Sequence, residues 1–177
     1  ILKDDKNIIA KKYLKNIDKY NIIITTGGAS VGDEDHLINV IKELGNLYFW
    51  KTAIKPGRPL AIGKIKNTIV ICLPGNPVSV HLLYGMIIKP FIEYLCTGKF
   101  IVPEGIKVKT NFIMKKKNKR LEWLRVNLKT SKNDLLVNKY NKQGSGMISS
   151  MVFADGIIEI PENIKMITKK DIFNFYS

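Results

Sequence analysis

Two short segments of this chain combine glycine, proline and small hydroxyl residues in patterns that suit anion binding. The first, residues 25–35, reads TTGGASVGDED, and the second, residues 73–79, reads LPGNPVS. Each follows an apolar run that is typical of a buried strand and precedes a segment with helical periodicity. In open α/β sheets, ligands bind at such strand-to-helix turns, outside the carboxyl ends of the strands. The two segments therefore predict a site for an anionic ligand.

The first turn places glycines where backbone N–H groups could reach a ligand. Because they lack a Cβ atom, Gly27 and Gly28 allow close approach, and a nest of N–H groups binds anions. A purely structural tight turn is the alternative interpretation. The turn matches neither GxGxxG nor a P-loop, so it is not a standard nucleotide fingerprint.

Acidic residues follow this turn, where a helix is predicted to begin. Asp33, Glu34 and Asp35 could simply cap that helix, because its dipole favours negative charge. Alternatively, a carboxylate there is a general base or a ligand of Mg²⁺, which commonly takes one or two carboxylates plus substrate phosphates. Asp4 closes another predicted strand and could face the same cleft.

A basic segment lies between the two turns. Lys51, Lys55 and Arg58 fall within eight positions, and Pro56 and Pro59 restrict the backbone around them. Rigidly held cations suit the binding of an oxyanion, because less conformational entropy is lost when the ligand binds. A solvated basic loop is the alternative interpretation.

The second turn leads directly into a predicted helix. Asn76 is a suitable N-cap, and Pro77 suits the first helical position. The N-terminus of a helix is a ready anion site, because its free N–H groups point outward. Ser79, in the first helical turn, could donate a hydrogen bond to an oxyanion or serve as a local cap.

The first hundred residues alternate between helix and strand patterns. In the first helix, Ala10, Leu14 and Ile17 are predicted to form the buried face. The last helix is apolar on nearly every side, so we expect it to be well buried. A hairpin turn is predicted at Lys66-Asn67. Helices are predicted over residues 5–18, 35–44 and 77–95, and strands over 22–24, 47–50, 60–65 and 68–73.

The remainder of the chain changes character. Short segments that alternate apolar and polar residues are separated by polar turns, as in a small antiparallel β domain or barrel. We therefore predict an α/β domain of parallel, doubly wound type over residues 1–102 and a β domain over residues 103–177.

The formal net charge of +14 raises the question of nucleic-acid binding. The lysines, however, are spread along the chain among many Ile and Asn residues, which favours a general bias of composition. The one dense run, residues 115–120, is predicted to be a basic hairpin turn, with a phosphate-contacting patch as the alternative. An RNA-binding protein is therefore kept only as an alternative hypothesis.

Other features of the sequence narrow the class of protein. Cys72 and Cys96 lie in apolar contexts and are predicted to be buried free thiols of a reducing cytoplasm. No Cys/His spacing suits zinc. No apolar run approaches the ~20 residues of a membrane span, and no signal peptide is recognisable. The chain lacks an initial Met and opens inside a strand-turn-helix pattern, from which we expect a fragment.

Taken together, the motifs resemble the molybdopterin molybdenumtransferase (MoeA) family, to which the E-domain of gephyrin also belongs. The resemblance rests on TTGGASVGDED, on FWK at 49–51 with KPGRP at 55–59, and on LPGNPVS, in the family's order and spacing. QGSG at 143–146 and the strand around Arg125 fit its C-terminal domain. The resemblance implies a doubly wound molybdopterin-binding domain that lacks its first strand here, followed by a small β-barrel.

The resemblance also implies an activity, the insertion of molybdate into adenylylated molybdopterin with Mg²⁺-assisted release of AMP. By analogy, the catalytic positions are Asp35, Asp4, Lys51 and Lys55. Asp35 and Asp4 are also the metal positions, and the two lysines contact phosphate or molybdate. The remaining implied substrate-binding positions are Thr26, Gly27, Gly28, Ser30, Arg58, Pro59, Pro74, Gly75, Asn76, Pro77, Ser79, Arg125 and Ser145. Arg58 stands where many relatives have Lys, which keeps the charge but changes the donor geometry.

Family members are elongated cytoplasmic dimers whose site borrows residues from a partner's N-terminal domain, and that domain is missing from this chain. The resemblance thus implies small-molecule substrates, a homodimer in the full-length protein and a molybdopterin adenylyltransferase as a partner, without membrane or nucleic acid. Two alternatives remain: a molybdopterin adenylyltransferase, which typically has a TGGTG loop, and a scaffold that binds peptides through the same fold.

Overall fold

The computed structural model describes residues 1–28, 35–131, 134–141, 143–144 and 146–177. They form two compact units. Unit 1 comprises Ile1–Thr52 and Gly57–Val80, and unit 2 comprises Ala53–Pro56 and His81–Ser177. The boundary between the two units therefore falls inside a helix, between Val80 and His81. The domain boundary expected from the sequence, between residues 102 and 103, remains a prediction.

The secondary-structure elements follow the order expected of an α/β domain and a β domain. They are α1 (Lys6–Asn16), β1 (Ile22–Thr26), α2 (His36–Leu44), β2 (Asn46–Trp50), β3 (Ile54–Lys55), β4 (Ala61–Ile65), β5 (Thr68–Leu73), α3 (Pro77–Leu83), a π-helical segment (Tyr84–Ile88), α4 (Lys89–Thr97), β6 (Ile106–Thr110), β7 (Met114–Lys115), β8 (Leu121–Ser131), β9 (Asp134–Lys139), α5 (Ser149–Phe153), β10 (Gly156–Ile160), β11 (Met166–Ile167) and β12 (Ile172–Tyr176).

Unit 1 contains a four-stranded sheet in the order β1-β5-β4-β2. β1 is parallel to β5, with Thr26 opposite Leu73, and β4 is antiparallel to both β5 and β2. β2 therefore runs in the same direction as β1 and β5. The hairpin predicted at Lys66-Asn67 is confirmed as the link between β4 and β5.

The core of unit 1 lies between the sheet and helices α1 and α2. The prediction for α1 was partly wrong, because Leu14 is 51% exposed and Ala10 is only partly buried. The buried residues are Ile9, Tyr13 and Ile17, at helical spacing. A 3.6-residue period allows two overlapping stripes on this helix, and only packing against the sheet selects the one that contains a tyrosine.

Residues 77–97 form one long helix with the π-helical segment in its middle. The expectation of thorough burial was wrong, since Tyr84, Tyr94 and Leu95 are all more than 40% exposed. An apolar pattern cannot show how many sides of a helix are covered. By length and composition alone this helix could also cross a membrane, contrary to the sequence-based expectation. Core helices of globular proteins meet the same criterion.

Unit 2 contains a closed five-stranded barrel. The strands pair in the order β8-β9-β6-β12-β10, and β10 closes onto β8. All pairs in the barrel are antiparallel except β6 with β9, which is parallel. The core holds Val108, Leu124, Val126, Val137 and Ile158, among others. The predicted α/β domain followed by a small β-barrel is therefore confirmed.

The basic run at 115–120 is not a hairpin, because β7 pairs with β11 rather than with β8. Lys116 is buried there and donates a hydrogen bond to the carbonyl of Pro161. Burial lowers the pKa of Lys116, although the nearby Glu122 and Glu162 carboxylates oppose that shift. This turn is therefore held against the β10–β11 turn, not extended into solvent.

The prediction of two buried thiols was half right. Cys72 is fully buried in the unit 1 core, whereas Cys96 is exposed near the end of α4. The hydroxyl of Tyr13 lies 3.8 Å from the Cys72 sulfur. Burial raises the pKa of the Cys72 thiol and the pKa of Tyr13. Both groups are therefore kept protonated in the folded state.

We expect Ile9→Ala to lower the free energy of unfolding by about 2–4 kcal/mol, because it leaves a cavity in the unit 1 core. Leu14→Ala, on the exposed side of the same helix, should change it by less than about 1 kcal/mol. Urea unfolding followed by circular dichroism measures both. Equal losses in the two variants would contradict the assignment of the buried face.

We also expect the stability of unit 1 to fall at alkaline pH in a way that depends on Cys72. A thiol whose pKa is raised by folding contributes stability that is complete below its unfolded pKa, about 8.5. Above it, stability declines by up to about 1.4 kcal/mol per pH unit. Cys72→Ala should flatten the curve between pH 8 and 10, whereas Cys96→Ala should not. Parallel curves for wild type and Cys72→Ala would refute this expectation.

Candidate functional site

Three loops of unit 1 leave the sheet at the same edge. β1, β5 and β2 share one direction, so the turns after Thr26, after Leu73 and after Trp50 all lie at their carboxyl ends. Three strand spacings separate β1 from β2 in the sheet order, which corresponds to about 14 Å. The edge can therefore contact an extended ligand at several points.

The two glycine-rich turns touch each other. The N–H of Gly27 donates to the carbonyl of Leu73 over 3.2 Å, and a Cβ atom added to Gly75 would lie 3.4 Å from the Cα of Gly27. Gly27 has a φ of 80° and Gly28 a φ of 69°, a conformation that favours glycine. The first turn thus needs its glycines, and the two turns form one continuous surface.

Asp4 lies beside this surface. A cavity of about 550 Å³ is lined by Asp4, Thr26, Gly27 and Gly28, together with Lys3, Thr25 and four apolar residues. The structure therefore brings one predicted acidic position next to the predicted anion-binding turn. Ser30, with the other residues from 29 to 34, lies outside the described residues.

Asp35 caps α2, which is one of the two interpretations that the sequence left open for this residue. The N–H of Ile38 donates to its carboxylate over 3.2 Å, and the residue is only 4% exposed. Burial is the main cause of the raised pKa values of Tyr13 and Cys72, and the Asp35 carboxylate adds a smaller contribution to each. The carboxylate therefore acts on the polar groups beneath the first turn as well as on the helix.

The sequence did not reveal the polar group that Thr25, Cys72 and Tyr13 form beneath the first turn. Thr25 stands opposite Cys72 in the β1–β5 register, and its hydroxyl oxygen is buried. Burial raises the pKa values of Tyr13 and Cys72, and hydrogen bonding to Thr25 partly opposes both shifts. Tyr13 reaches the same pair from α1. The three residues are far apart in the chain, and each looks like an ordinary core residue in isolation.

The second turn has the predicted geometry. The side-chain oxygen of Asn76 accepts hydrogen bonds from the N–H groups of Val78 and Ser79, at 3.0 and 3.2 Å. Asn76 is thus the N-cap, and Pro77 is the first residue of α3. Ser79 is buried. Pro74 and Gly75 therefore form the part of the turn that meets the first loop.

The basic segment is closed by backbone hydrogen bonds within unit 1. The N–H of Lys51 donates to the carbonyl of Leu60, and the N–H of Thr52 to that of Arg58, at 3.1 and 2.8 Å. The Thr52 hydroxyl donates to the carbonyl of Gly57 over 2.9 Å. Lys51, Arg58 and Pro59 are thereby held at the carboxyl end of β2 and the start of β4.

Lys55 and Arg125 belong to unit 2, where both lie near Glu122. The Lys55 ammonium donates to the Glu122 carboxylate over 2.8 Å. Arg125 is only 2% exposed, and its guanidinium donates to the carbonyls of Gln143 and Gly144. Burial lowers the pKa of Arg125, and the Glu122 carboxylate opposes that shift. Ser145 lies outside the described residues.

Glu122 was also missed from the sequence. It shares its side of β8 with Leu124 and Val126, which are buried in the barrel. An acidic residue in an inward-facing stripe is costly to bury unless it is paired. The inward-facing position of Glu122 was therefore the signal in the sequence for a paired acidic residue, and the partner is Lys55.

The described residues contain no cluster of three or more potential metal ligands. Asp4 and Asp35 offer at most two carboxylates. Two carboxylates do not make an all-protein cage; Mg²⁺ commonly takes one or two carboxylates and completes its shell with water and substrate phosphates.

The chain matches two protein-family models, which follow one another in the same order as the sequence motifs. Residues 1–94 match the model of a family described as a probable molybdopterin binding domain. Residues 107–176 match the model of the MoeA C-terminal region, domain IV. The two matches cover both predicted parts of the chain.

Individual relatives extend over nearly the whole chain. A putative molybdopterin biosynthesis protein from Methanocaldococcus jannaschii is 30% identical over 176 residues, which are 99% of this chain and 41% of that protein. The molybdopterin molybdenumtransferase of Haemophilus influenzae is 38% identical over 95 residues, 54% of this chain and 24% of the relative. The chain thus spans about a quarter to two fifths of the lengths of these relatives.

A crystal structure of a molybdopterin biosynthesis MoeA protein from Pyrococcus horikosii superposes with a TM-score of 0.76 and 27% identity. The superposition covers 98% of this chain and 41% of the chain in the crystal structure. A molybdenum cofactor biosynthesis protein from Pyrococcus furiosus, at 22% identity and a TM-score of 0.69, has the same fold over 98% of this chain and 55% of its own.

We expect Asp35→Ala to destabilise unit 1 by about 1–2 kcal/mol, because the first turn of α2 loses its cap. Asp35→Asn keeps a side-chain acceptor and should cost less. Asp5 is a matched control, since its exposed carboxylate caps α1 through the N–H of Ile8 over 3.0 Å. Urea unfolding of Asp35→Ala, Asp35→Asn and the control Asp5→Ala measures these losses of stability. If Asp35→Ala were no less stable than wild type, the cap would not be the main role of Asp35 in folding.

Proposed function

Because this chain belongs to the MoeA family, we propose that it carries the site of a molybdopterin molybdenumtransferase, which inserts molybdate into adenylylated molybdopterin and releases AMP. The observation that carries the proposal is the convergence of three anion-binding loops at one edge of the unit 1 sheet. The proposal covers the whole protein's activity, to which this chain contributes only part of the family's length.

The chemistry of the substrates fits this edge. Molybdate is a tetrahedral dianion, and both molybdopterin and AMP carry phosphate. Backbone N–H groups and cations make charge-assisted hydrogen bonds to such oxyanions. A site about 14 Å long also suits a substrate that carries several anionic groups.

Each loop then has a distinct role. The turn of Thr26, Gly27 and Gly28, with Ser30, binds phosphate through backbone N–H groups, and the Pro74–Ser79 segment adds the N-terminus of a long helix. Lys51 and Arg58 provide cations from the third loop, where Pro59 restricts the backbone.

Asp4 and Asp35 are the residues that would hold Mg²⁺, which supplies charge neutralisation at the phosphate oxygens of the adenylyl link. Asp4 is accessible from the cavity beside Gly27. Asp35 is anchored by its hydrogen bond to the N–H of Ile38, so its carboxylate has one fixed orientation.

In unit 2, Lys55, Arg125 and Ser145 are the remaining substrate-binding positions of the proposal. The charge of Lys55 is already balanced by Glu122. An incoming oxyanion at Lys55 must therefore compete with that carboxylate. The guanidinium of the buried Arg125 instead donates to the backbone carbonyls of Gln143 and Gly144.

We further propose that the chain works within a longer cytoplasmic protein that forms a homodimer and receives its substrate from a molybdopterin adenylyltransferase. The C-terminal match favours this function over an adenylyltransferase of the same fold. The helix over 77–97 lies mostly within the molybdopterin-binding match, which favours its role as part of that domain rather than as a membrane span.

The test is to supply the protein that carries this chain with adenylylated molybdopterin, Mg²⁺ and molybdate, and to measure AMP by chromatography. We expect AMP release that molybdate stimulates, with sulfate as the control dianion because it does not replace molybdate as the metal source. Release that is indifferent to molybdate would overturn the proposed function.

Within that assay, Asp35→Asn should lower turnover by at least about a hundredfold, since a carboxylate that binds a metal or moves a proton is replaced by a neutral amide. The free energy of unfolding of the same variant should change by less than about 1 kcal/mol. Full turnover in Asp35→Asn would leave Asp35 as a helix cap alone.

A further inference from the structure

We propose that Trp50 is a positioning residue for the reaction, and that its indole ring holds the ammonium group of Lys51 at the sheet edge where the anionic substrate binds. This inference rests on the proposed function. It assigns a role to a residue of the FWK motif whose side chain the proposed function does not use.

The contact itself is close. The Nζ atom of Lys51 lies 3.9 Å from the centroid of the Trp50 ring, well within the ~6 Å over which a ring face attracts a cation. Trp50 is the last residue of β2, stands opposite Ala61 on β4, and packs against the core of unit 1. The ring is therefore a fixed platform.

The backbone of Lys51 directs the side chain onto that platform. Lys51 has a φ of 70°, which is uncommon for a residue with a side chain. Hydrogen bonds on both sides hold this conformation, from its own N–H to Leu60 and from the N–H of Thr52 to Arg58. Strained backbone that the surroundings enforce is concentrated at functional sites.

The choice of an aromatic partner leaves the charge of Lys51 available. Within the described part of the chain, no carboxylate lies within ion-pair distance of Lys51, whereas Lys55 is paired with Glu122. A ring attracts an ammonium group through its quadrupole but does not neutralise it. Lys51 is thus oriented while still able to bind an oxyanion.

Lys42 provides a matched control. Its Nζ atom is 5.5 Å from the same ring centroid, but it is an exposed residue in the last turn of α2. It contacts the same ring at a longer distance and does not belong to the loop at the sheet edge. Removing its charge should leave the reaction unchanged.

A double-mutant cycle in the molybdate-dependent assay tests the proposal. Trp50→Leu should raise the KM for molybdate or for adenylylated molybdopterin about 3- to 30-fold, and Trp50→Phe, which keeps a ring, should raise it less. In a Lys51→Met background, Trp50→Leu should add less than about a twofold effect, because its partner is already gone. Lys42→Met should match wild type.

Two results would overturn the proposal. One is a full additional loss from Trp50→Leu in the Lys51→Met background, which would mean that Trp50 acts independently of Lys51. The other is equal loss in Trp50→Phe and Trp50→Leu while both fold like wild type by urea unfolding, since the ring would then be irrelevant.

A spectroscopic measurement separates this inference from the proposed function. The chain has two tryptophans, so Trp123→Phe leaves Trp50 as the sole tryptophan fluorophore. Lys51→Met should then shift its emission maximum more than Lys42→Met does. If this shift appears but the protein has no molybdate-stimulated activity, the proposed function is wrong although the Trp50–Lys51 contact exists. If Lys51→Met leaves the emission unchanged, the contact is absent and the inference fails.

Discussion

Parallel pairing of β1 with β5 sets Thr26 opposite Leu73, so both glycine-rich turns leave the sheet at the same edge. Since β4 is antiparallel to its two neighbours, β2 ends there as well. Everything that unit 1 offers to an anion depends on this shared direction. The Gly27–Gly75 contact then follows, because two turns on adjacent strands meet only where neither carries a bulky side chain.

The cationic side chains predicted to bind the substrate, one in unit 1 and two in unit 2, are held in three physically different ways. Lys55 is paired with a carboxylate, Arg125 bonds backbone carbonyls in the barrel, and Lys51 rests on an indole ring. A carboxylate neutralises a cation, carbonyl groups solvate it, and a ring orients it. Among the described residues, Lys55 is the one of these three that is paired with a carboxylate, so an oxyanion at Lys55 must compete with Glu122.

Asp35 shows why a structural role and a chemical role need not exclude each other. Its hydrogen bond to the N–H of Ile38 both caps α2 and fixes the orientation of the carboxylate. The carboxylate lies near Tyr13 and Cys72, whose pKa values are raised mainly by burial and to a smaller extent by Asp35. A residue that is rigid for reasons of folding is well suited to hold a metal ion in one place.

Local interactions made much of this protein readable from its sequence alone. The caps Asp5, Asp35 and Asn76, the Lys66-Asn67 hairpin and the change from helical to alternating periodicity all depend on residues a few positions apart, and the structure reproduces them. Tertiary structure decided the rest. The buried face of α1, the Lys55–Glu122 pair across 67 positions and the parallel β6–β9 pair involve partners that no local pattern specifies. Such contacts form only when distant segments compete for the same core, and that competition is settled by packing of the whole unit.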